Sequence, residues 1–282
     1  MGGGGARGAA QVGVLLGLFE SHVDAPGRLV GASVGALNAS LIAAHPSLAG
    51  AQMLRQVWFS KVAREVFRIH PVSSLLAGVR RQLSTLPSAN VRRLIESTER
   101  LTGISTFEQL RLPLRIVATD LEAGVPQVFS TGPLTPALLA STAIPGVFPA
   151  VSIGDRAFLD GGIVDNTPIA VAVQEGAKEV LAVHLMAGGA LEAPPRTWSE
   201  LITRTLQLSL HYRMLSDFER LKSAARVVVL APVLPMRASW QMDSQHVAAV
   251  IDKARAATRH LVQREGRRLW RRSAVHYLEL GL

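Results

Sequence analysis

Cysteine is missing from all 282 residues. Disulfide staples, thiolate nucleophiles and cysteine-held metal sites are therefore excluded, and such a chain suits a reducing cytoplasm. A membrane span is missing as well. Two long uncharged stretches, Leu29 to Leu54 and Ala123 to Gly154, exceed the roughly 20 residues that cross a bilayer. The first is interrupted by Asn38, His45 and Pro46, and the second by Pro126, Pro133, Pro136, Pro145 and Pro149. Both read as buried elements joined by turns. No secretory leader shows, because glycine stands where a basic region and an apolar run would be needed. There is no internal repeat and no low-complexity linker beyond a modest Ala/Pro break at Ala190 to Arg196.

What is present is 48% hydrophobic content, enough for one large α/β domain over residues 1–282 and too much for a disordered chain. The formal charge of +9 comes almost wholly from arginine and favours anionic partners, phospholipid head groups or nucleic acid, without choosing between them. Val12, Leu15, Leu16, Phe19 and Val23 fall at helical spacing, which predicts an amphipathic helix over Ala9 to Val23. "LVGA" then reads as a buried strand, turned at Ser33 into a second helix over Ala36 to Ala44. Helical segments with arginine-rich faces follow from about Ser47 to Leu101, and "PLRIVATDLEAGVPQVFSTG" predicts a strand pair turning at Glu122 to Gly124. "EVLAVHL" and "RVVVLA" are continuous apolar strands. Strands buried on both faces and alternating with helices predict a mainly parallel sheet between helical layers.

Gly31-Ala32-Ser33-Val34-Gly35 fits GxSxG, the nucleophile elbow, in which small neighbours let a strained turn present the serine hydroxyl. Its context is strand, turn, helix, which puts Ser33 at a helix amino terminus where amides favour developing negative charge. The opening "MGGGGARGAAQVGVLLGLFE" runs a glycine loop straight into the first helix, and free amides there suit a tetrahedral oxyanion. Gly3, Gly5 and Gly8 also satisfy GxGxxG, with Glu20 or Asp24 as a ribose acid, but a dinucleotide fingerprint requires a strand before it. A base for Ser33 is harder to find. His22, His45, His70, His184, His211, His246, His260 and His276 all lack a suggestive setting. Asp160 ends an apolar segment before Gly161 and Gly162, which keep its surroundings open, and Asp120, Asp155 and Asp165 are rival acids. Asp165, beside Asn166, reads as the cap of a helix beginning around Thr167 to Pro168.

With these motifs the sequence resembles the patatin-like phospholipase family of bacterial lipid acyl hydrolases. The resemblance rests on "GGGARG" at Gly3 to Gly8, "GASVG" at Gly31 to Gly35 and "DGG" at Asp160 to Gly162, with "ATDLEAG", "STAIPGVFPAV" and "DNTPIAVAVQEGAKEVLAVHL" in support. It extends from residue 3 to about residue 185, ahead of a helical, arginine-rich carboxy-terminal part. It implies a three-layer α/β/α patatin-like fold and a serine hydrolase of phospholipase A, lysophospholipase or carboxylesterase type. Ser33 would be the nucleophile, Asp160 the base, and the loop of Gly3, Gly4, Gly5, Ala6, Arg7 and Gly8 the oxyanion hole. No metal and no organic cofactor is implied. The family normally has an apolar strand leading into the glycine loop, and this chain starts at the loop itself.

The reaction so implied is acyl transfer from a lipid ester to Ser33, then attack of water on the acyl-enzyme. An aspartate with a pKa near the ordinary ~3.9 is a poor base for an alcohol, so burial must raise its proton affinity. The run "DKARAATRHLVQREGRRLWRR" holds seven arginines from Arg255 to Arg272, with Leu261, Val262, Leu269 and Trp270 interleaved. It reads either as a solvated helix face or as a basic helix with an aromatic anchor for anionic lipid, the expected peripheral contact of a cytoplasmic enzyme. A nucleic-acid role has no recognisable motif behind it. The alternatives to a hydrolase are a non-catalytic lipid-surface binding relative, against which intact Ser33 and Asp160 argue, and a dinucleotide-binding protein.

Overall fold

The computed structural model describes residues 1–67, 88–188, 194–234 and 243–282. The glycine loop ends in a 3-10 turn, Gly5–Gly8, that continues into α1 (Ala9–Glu20). There follow β1 (Leu29–Ala32), α2 (Val34–Ala44), α3 (Leu48–Phe59), α4 (Lys61–Phe67), α5 (Ala89–Thr102), β2 (Leu114–Asp120), β3 (Pro126–Phe129) and α6 (Leu134–Ser141). The second half holds β4 (Val151–Ile153), β5 (Arg156–Asp160), the short α7 (Gly162–Asp165), α8 (Ile169–Gln174) and β6 (Glu179–Val183). It closes with α9 (Trp198–Leu221), β7 (Arg226–Val233), α10 (Ser244–Glu265) and β8 (Ala274–Glu279). The predicted strands at Leu29, Leu114, Pro126, Glu179 and Arg226 are all present. His70 and part of the helical stretch expected before Leu101 lie outside the described residues, as does most of the Ala/Pro break.

The strands form two sheets. In one the order is β1-β2-β5-β4, with β3 also on β2. β1 runs parallel to β2, whereas β3 and β5 are antiparallel to it. In the other, β6, β7 and β8 are all parallel. Helices cover both faces, giving a three-layer α/β/α arrangement. The alternation along β7 shows why its run is apolar throughout: Val228 and Leu230 join the main core, while Val227, Val229 and Ala231 pack with Met214 and Phe218 of α9. A strand with both faces covered has no polar face to show.

Met1 to Gly3 joins the two sheets. The Met1 amine donates to Val30 O (2.6 Å), Ala32 N donates to Met1 O (3.2 Å), and Gly2 N donates to Val183 O (2.9 Å). Behind this bridge the edges of β1 and β6 face each other across a cleft of about 590 Å³, lined by residues that include Leu15, Phe19, Val30, Val180, Leu181 and Trp270.

Helix α1 departs from expectation. Every residue from Ala9 to Leu18 is buried, so it is a core helix and not an amphipathic one. The reason is α10, which lies so close that a Cβ at Gly13 would stand 2.2 Å from Ile251 O and would push the two helices apart. α10 buries Val247, Val250, Ile251, Ala254 and Leu261 in the core it shares with α1. Among the described residues no helix is long and apolar enough to cross a membrane.

Candidate active site

Ser33 stands between β1 and α2 with φ 54° and ψ −129°, a conformation that side-chain-bearing residues rarely adopt. The turn is held from behind: Ser33 N donates to Ser141 Oγ (2.9 Å), whose hydroxyl donates to Val117 O (2.6 Å). The strained backbone is therefore locked to the neighbouring strand, and it aims the Ser33 hydroxyl at Asp160, with Oγ donating to Oδ2 over 2.5 Å.

Asp160 ends β5, paired with Ala118 of β2, and its other carboxylate oxygen accepts from Gly162 N (2.7 Å). Thr119 Oγ1 donates to the Asp160 carbonyl (2.7 Å) and fixes the residue from the adjacent strand. Ser33 and Asp160 are both buried. Burial pushes the Asp160 carboxyl up to about 6, against the opposing pull of the hydrogen bonds from Ser33 and Gly162. A carboxylate so raised holds a proton more tightly than an exposed one and is still ionised at neutral pH.

The glycine loop lies against this pair. A Cβ on Gly3 would be 3.0 Å from Ser33 Cβ and 2.6 Å from Asn166 Oδ1, so only glycine brings the backbone this close to the serine. Gly3 N donates to Asn166 O (2.9 Å) and Arg7 N to Gly4 O (3.1 Å), so these two amides are engaged inside the protein. The amides of Gly4, Gly5 and Ala6 have no such partner among the described residues. Arg7 is fully buried, and its Nη1 donates to Leu185 O (3.1 Å), tying the loop to the chain beyond β6.

A buried polar relay holds the loop from the other side, and none of it was anticipated from the sequence. Gln11 Nε2 donates to Gly2 O (2.7 Å), and Asn38 Nδ2 donates to Gly8 O (3.1 Å) and Gln11 Oε1 (2.9 Å). Trp58 Nε1 donates to Asn38 Oδ1 (3.0 Å). The available signal was a lone amide in each of two otherwise apolar helices, a pattern that marks a buried polar group needing partners.

The remaining predicted residues fall elsewhere. Asp120 is buried but paired with Arg156, its Oδ1 accepting from Glu122 N and Ala123 N in the β2–β3 turn. Asp155 is exposed between β4 and β5. Asp165 does not cap α8, as expected of it: α8 begins at Ile169 behind Pro168 with no side-chain cap, and Asp165 closes α7 instead. Burial raises its carboxyl to about 6 as well, with Asp217 adding to the effect. His184 follows β6, fully buried, with Nδ1 2.8 Å from Thr167 Oγ1 and Nε2 3.1 Å from His211 Nδ1. Desolvation lowers it to about 3 and keeps it neutral. Glu20 pairs with Arg255 (2.6 Å), which leaves the dinucleotide alternative without one of its two acids. In the arginine-rich segment Leu261 and Leu269 are buried and Trp270 lines the cleft behind Met1.

The strained elbow, the buried carboxylate and the glycine loop thus meet at one place on an α/β/α scaffold. A family model described as "Patatin-like phospholipase" matches residues 1–173. The chain belongs to the patatin-like phospholipase family. It is similar to an "Uncharacterized NTE family protein" of Mycobacterium tuberculosis, with 33% identity over 210 residues, 73% of this chain and 54% of that protein. It is also similar to patatin-like phospholipase domain-containing protein 7 of Rattus norvegicus, 29% identical over 191 residues, 66% of this chain and 13% of that one. The corresponding protein 6 of Homo sapiens is 30% identical over 192 residues, again 66% and 13%. The chain thus spans about half the length of the mycobacterial relative and a small part of the mammalian ones.

Proposed function

We propose that this chain is a serine lipid acyl hydrolase, cleaving carboxylic esters of phospholipid or lysophospholipid type through a Ser33–Asp160 dyad. The observation that carries the reading is the 2.5 Å hydrogen bond from Ser33 Oγ to Asp160 Oδ2, inside a strained elbow that aims the hydroxyl. Asp160 takes the hydroxyl proton as Ser33 Oγ attacks the ester carbonyl. The tetrahedral oxyanion is held by the amides of Gly4, Gly5 and Ala6, which face no acceptor among the described residues. Asp160 then returns its proton to the departing alcohol, leaving the acyl chain on Ser33. In the second half the carboxylate activates water, which releases the fatty acid and restores the hydroxyl. No histidine is required. His184 has both ring nitrogens engaged by Thr167 and His211 and none directed at Ser33.

Family membership supports the lipid class of the substrate, as do the names of the mammalian relatives. The test is activity-based labelling together with a panel of short-chain chromogenic esters and phospholipids. A fluorophosphonate probe is expected to modify Ser33 alone, and Ser33→Ala to abolish hydrolysis. Labelling of another serine, or full turnover in Ser33→Ala, would overturn the reading.

A further inference from the structure

The long helix α9 carries two apolar faces and uses one of them. Its inner stripe, Gln207, Leu210, Met214, Phe218 and Leu221, is buried and begins only at Gln207. Trp198, Leu201, Ile202, Leu206, Leu208 and Tyr212 stand on the other side and are exposed, with Trp198 at 70% and Tyr212 at 69%. Among the described side chains from Trp198 to Leu206 none is buried. A water-facing helix surface ordinarily carries charge at these positions.

The topology places this face at the mouth of the site. α9 is the crossover between parallel strands β6 and β7, so its amino terminus lies at the carboxyl end of β6. That end is Val183, which accepts from Gly2 N beside the loop that touches Ser33. Farther along, a Cβ on Gly188 would meet Gln207 Nε2 at 2.3 Å and Arg204 Nη1 at 2.8 Å, so the third turn of α9 packs just past Leu185. At about 1.5 Å per residue, Trp198 projects roughly 9 Å beyond Arg204, on the side of the sheet where Ser33 opens. Three other exposed apolar residues share this end: Ile163, next after the DGG motif, and Leu121 and Val125 at the tip of β2.

We propose that the outer face of the first half of α9 is the surface by which the protein docks on an anionic phospholipid bilayer. The choice of partner rests on the hydrolase reading above and on the make-up of the face. Trp198 and Tyr212 flank aliphatic residues, the composition that settles at the head-group boundary. Arg196 and Arg213, both exposed, border them and complement anionic head groups. The single acid of these turns, Glu200, is turned back to accept from Arg196 N (2.7 Å) and Thr197 N (3.3 Å). The carboxy-terminal arginine segment offers a bilayer less apolar surface, because Leu261 and Leu269 are buried and Val262 and Trp270 are partly packed against the core.

Co-sedimentation with vesicles of phosphatidylcholine, alone and with phosphatidylglycerol, tests this on the full chain. The triple variant Trp198→Ser/Leu201→Ser/Ile202→Ser is expected to lose at least ~10-fold in vesicle affinity. It should lose a similar factor in hydrolysis of vesicle-borne phospholipid and keep its turnover of a water-soluble short-chain ester. Neutralising Arg267, Arg268 and Arg271 with glutamine should change vesicle binding much less. Trp198 emission, taken as the difference from Trp198→Phe, should shift to the blue on vesicles and be quenched by brominated lipid, a measurement that does not depend on the triple variant folding. Unchanged vesicle binding by a folded triple variant, or Trp198 emission indifferent to vesicles, overturns the proposal. So does a self-associated protein that the triple variant turns monomeric, since the face would then be an interface between copies. Failure to hydrolyse the soluble ester at all would count against the dyad and leave the vesicle measurements to decide docking separately.

Discussion

Replacing Asp160 by asparagine should make the protein more stable and far less active, and the two effects should depend differently on pH. The folded protein holds the Asp160 carboxyl at about 6 against an ordinary value of 3.8, with burial as the dominant cause. The folded state therefore binds more protons than the unfolded one between these values, and wild-type stability falls as pH rises through that window. Above about pH 6, at about 1.4 kcal/mol per tenfold change in proton affinity, the buried charge costs about 3 kcal/mol. The asparagine of Asp160→Asn carries no charge to desolvate. Its side-chain carbonyl can still accept from Gly162 N and its amide can donate to Ser33 Oγ, so the site remains hydrogen-bonded. The Tm difference between Asp160→Asn and wild type should be near zero at pH 4 and grow to a plateau by about pH 7. At roughly 2 °C per kcal/mol for a chain of this size the plateau is about 6 °C. Asp165, raised to about 6 by its own burial, contributes equally to both proteins and cancels in the difference.

Turnover should move the opposite way. With Asp160 as the proposed base, wild-type activity requires its ionised form and should rise with pH through about 6 and level off. Asp160→Asn should lose at least ~10²-fold at every pH, since nothing is left to take the Ser33 proton. Differential scanning fluorimetry across pH, run beside ester hydrolysis, measures both effects. A Tm difference that does not vary with pH would show that the folded protein does not raise the Asp160 proton affinity. Near wild-type turnover in folded Asp160→Asn would place the base elsewhere.

Two further outcomes follow from the packing. Asn38→Ala removes the donor to Gly8 O and the acceptor of Trp58 Nε1, both buried, and should destabilise the protein by about 2 kcal/mol while lowering kcat more than it changes KM. An unchanged Tm and kcat would show that the relay does not hold the loop. Fusing roughly six to eight apolar residues ahead of Met1 should raise Tm by pairing an added strand with β1 and β6 in the cleft of about 590 Å³. It would also remove an amine that burial lowers to about 5, so the rise in stability from about pH 5 to pH 8 that this amine imposes should vanish; an unaltered or lowered Tm would refute the pairing.

The parts of the fold legible in the sequence are those whose signal is local. β1 is a four-residue apolar run followed by a serine with a glycine two positions to either side, and the turn between β2 and β3 has its glycine, Gly124, at φ 69°. The motif-bearing residues were legible for the same reason, because each motif is a few consecutive positions. Illegible were contacts whose partners are far apart in the chain. Asn38 reaches Gln11 across 27 positions, and Arg7 reaches Leu185 across 178. Nothing around Arg7 marks it as buried, and an arginine beside glycines reads as a surface residue until the chain beyond β6 supplies the acceptor. The misreading of α1 has a related origin. Its apolar residues do recur at helical spacing, but alanine and glycine fill the positions between them, and small residues leave open whether that side meets water or another helix. α10, more than 220 residues away, decides it.

Helix α9 is the inverse case, and it shows what periodicity can and cannot say about a surface. Leucine, isoleucine and aromatic residues occur around most of its circumference, interspersed with polar ones, so a helical projection marks no single buried face. The tertiary structure divides them. β7 is eight residues long, about 27 Å, whereas α9 has 24 residues and spans about 36 Å, so a helix packed along this strand overhangs it. The buried stripe therefore stops at Gln207 while the apolar composition continues to Trp198. Apolar side chains recur along this segment, and topology says that the chain's own core does not cover its outer face. For the proposed lipid hydrolase that mismatch has a use, because the overhang lies at the carboxyl end of β6, whose Val183 accepts from Gly2 N beside the loop that touches Ser33, and a bilayer would bury the uncovered face there.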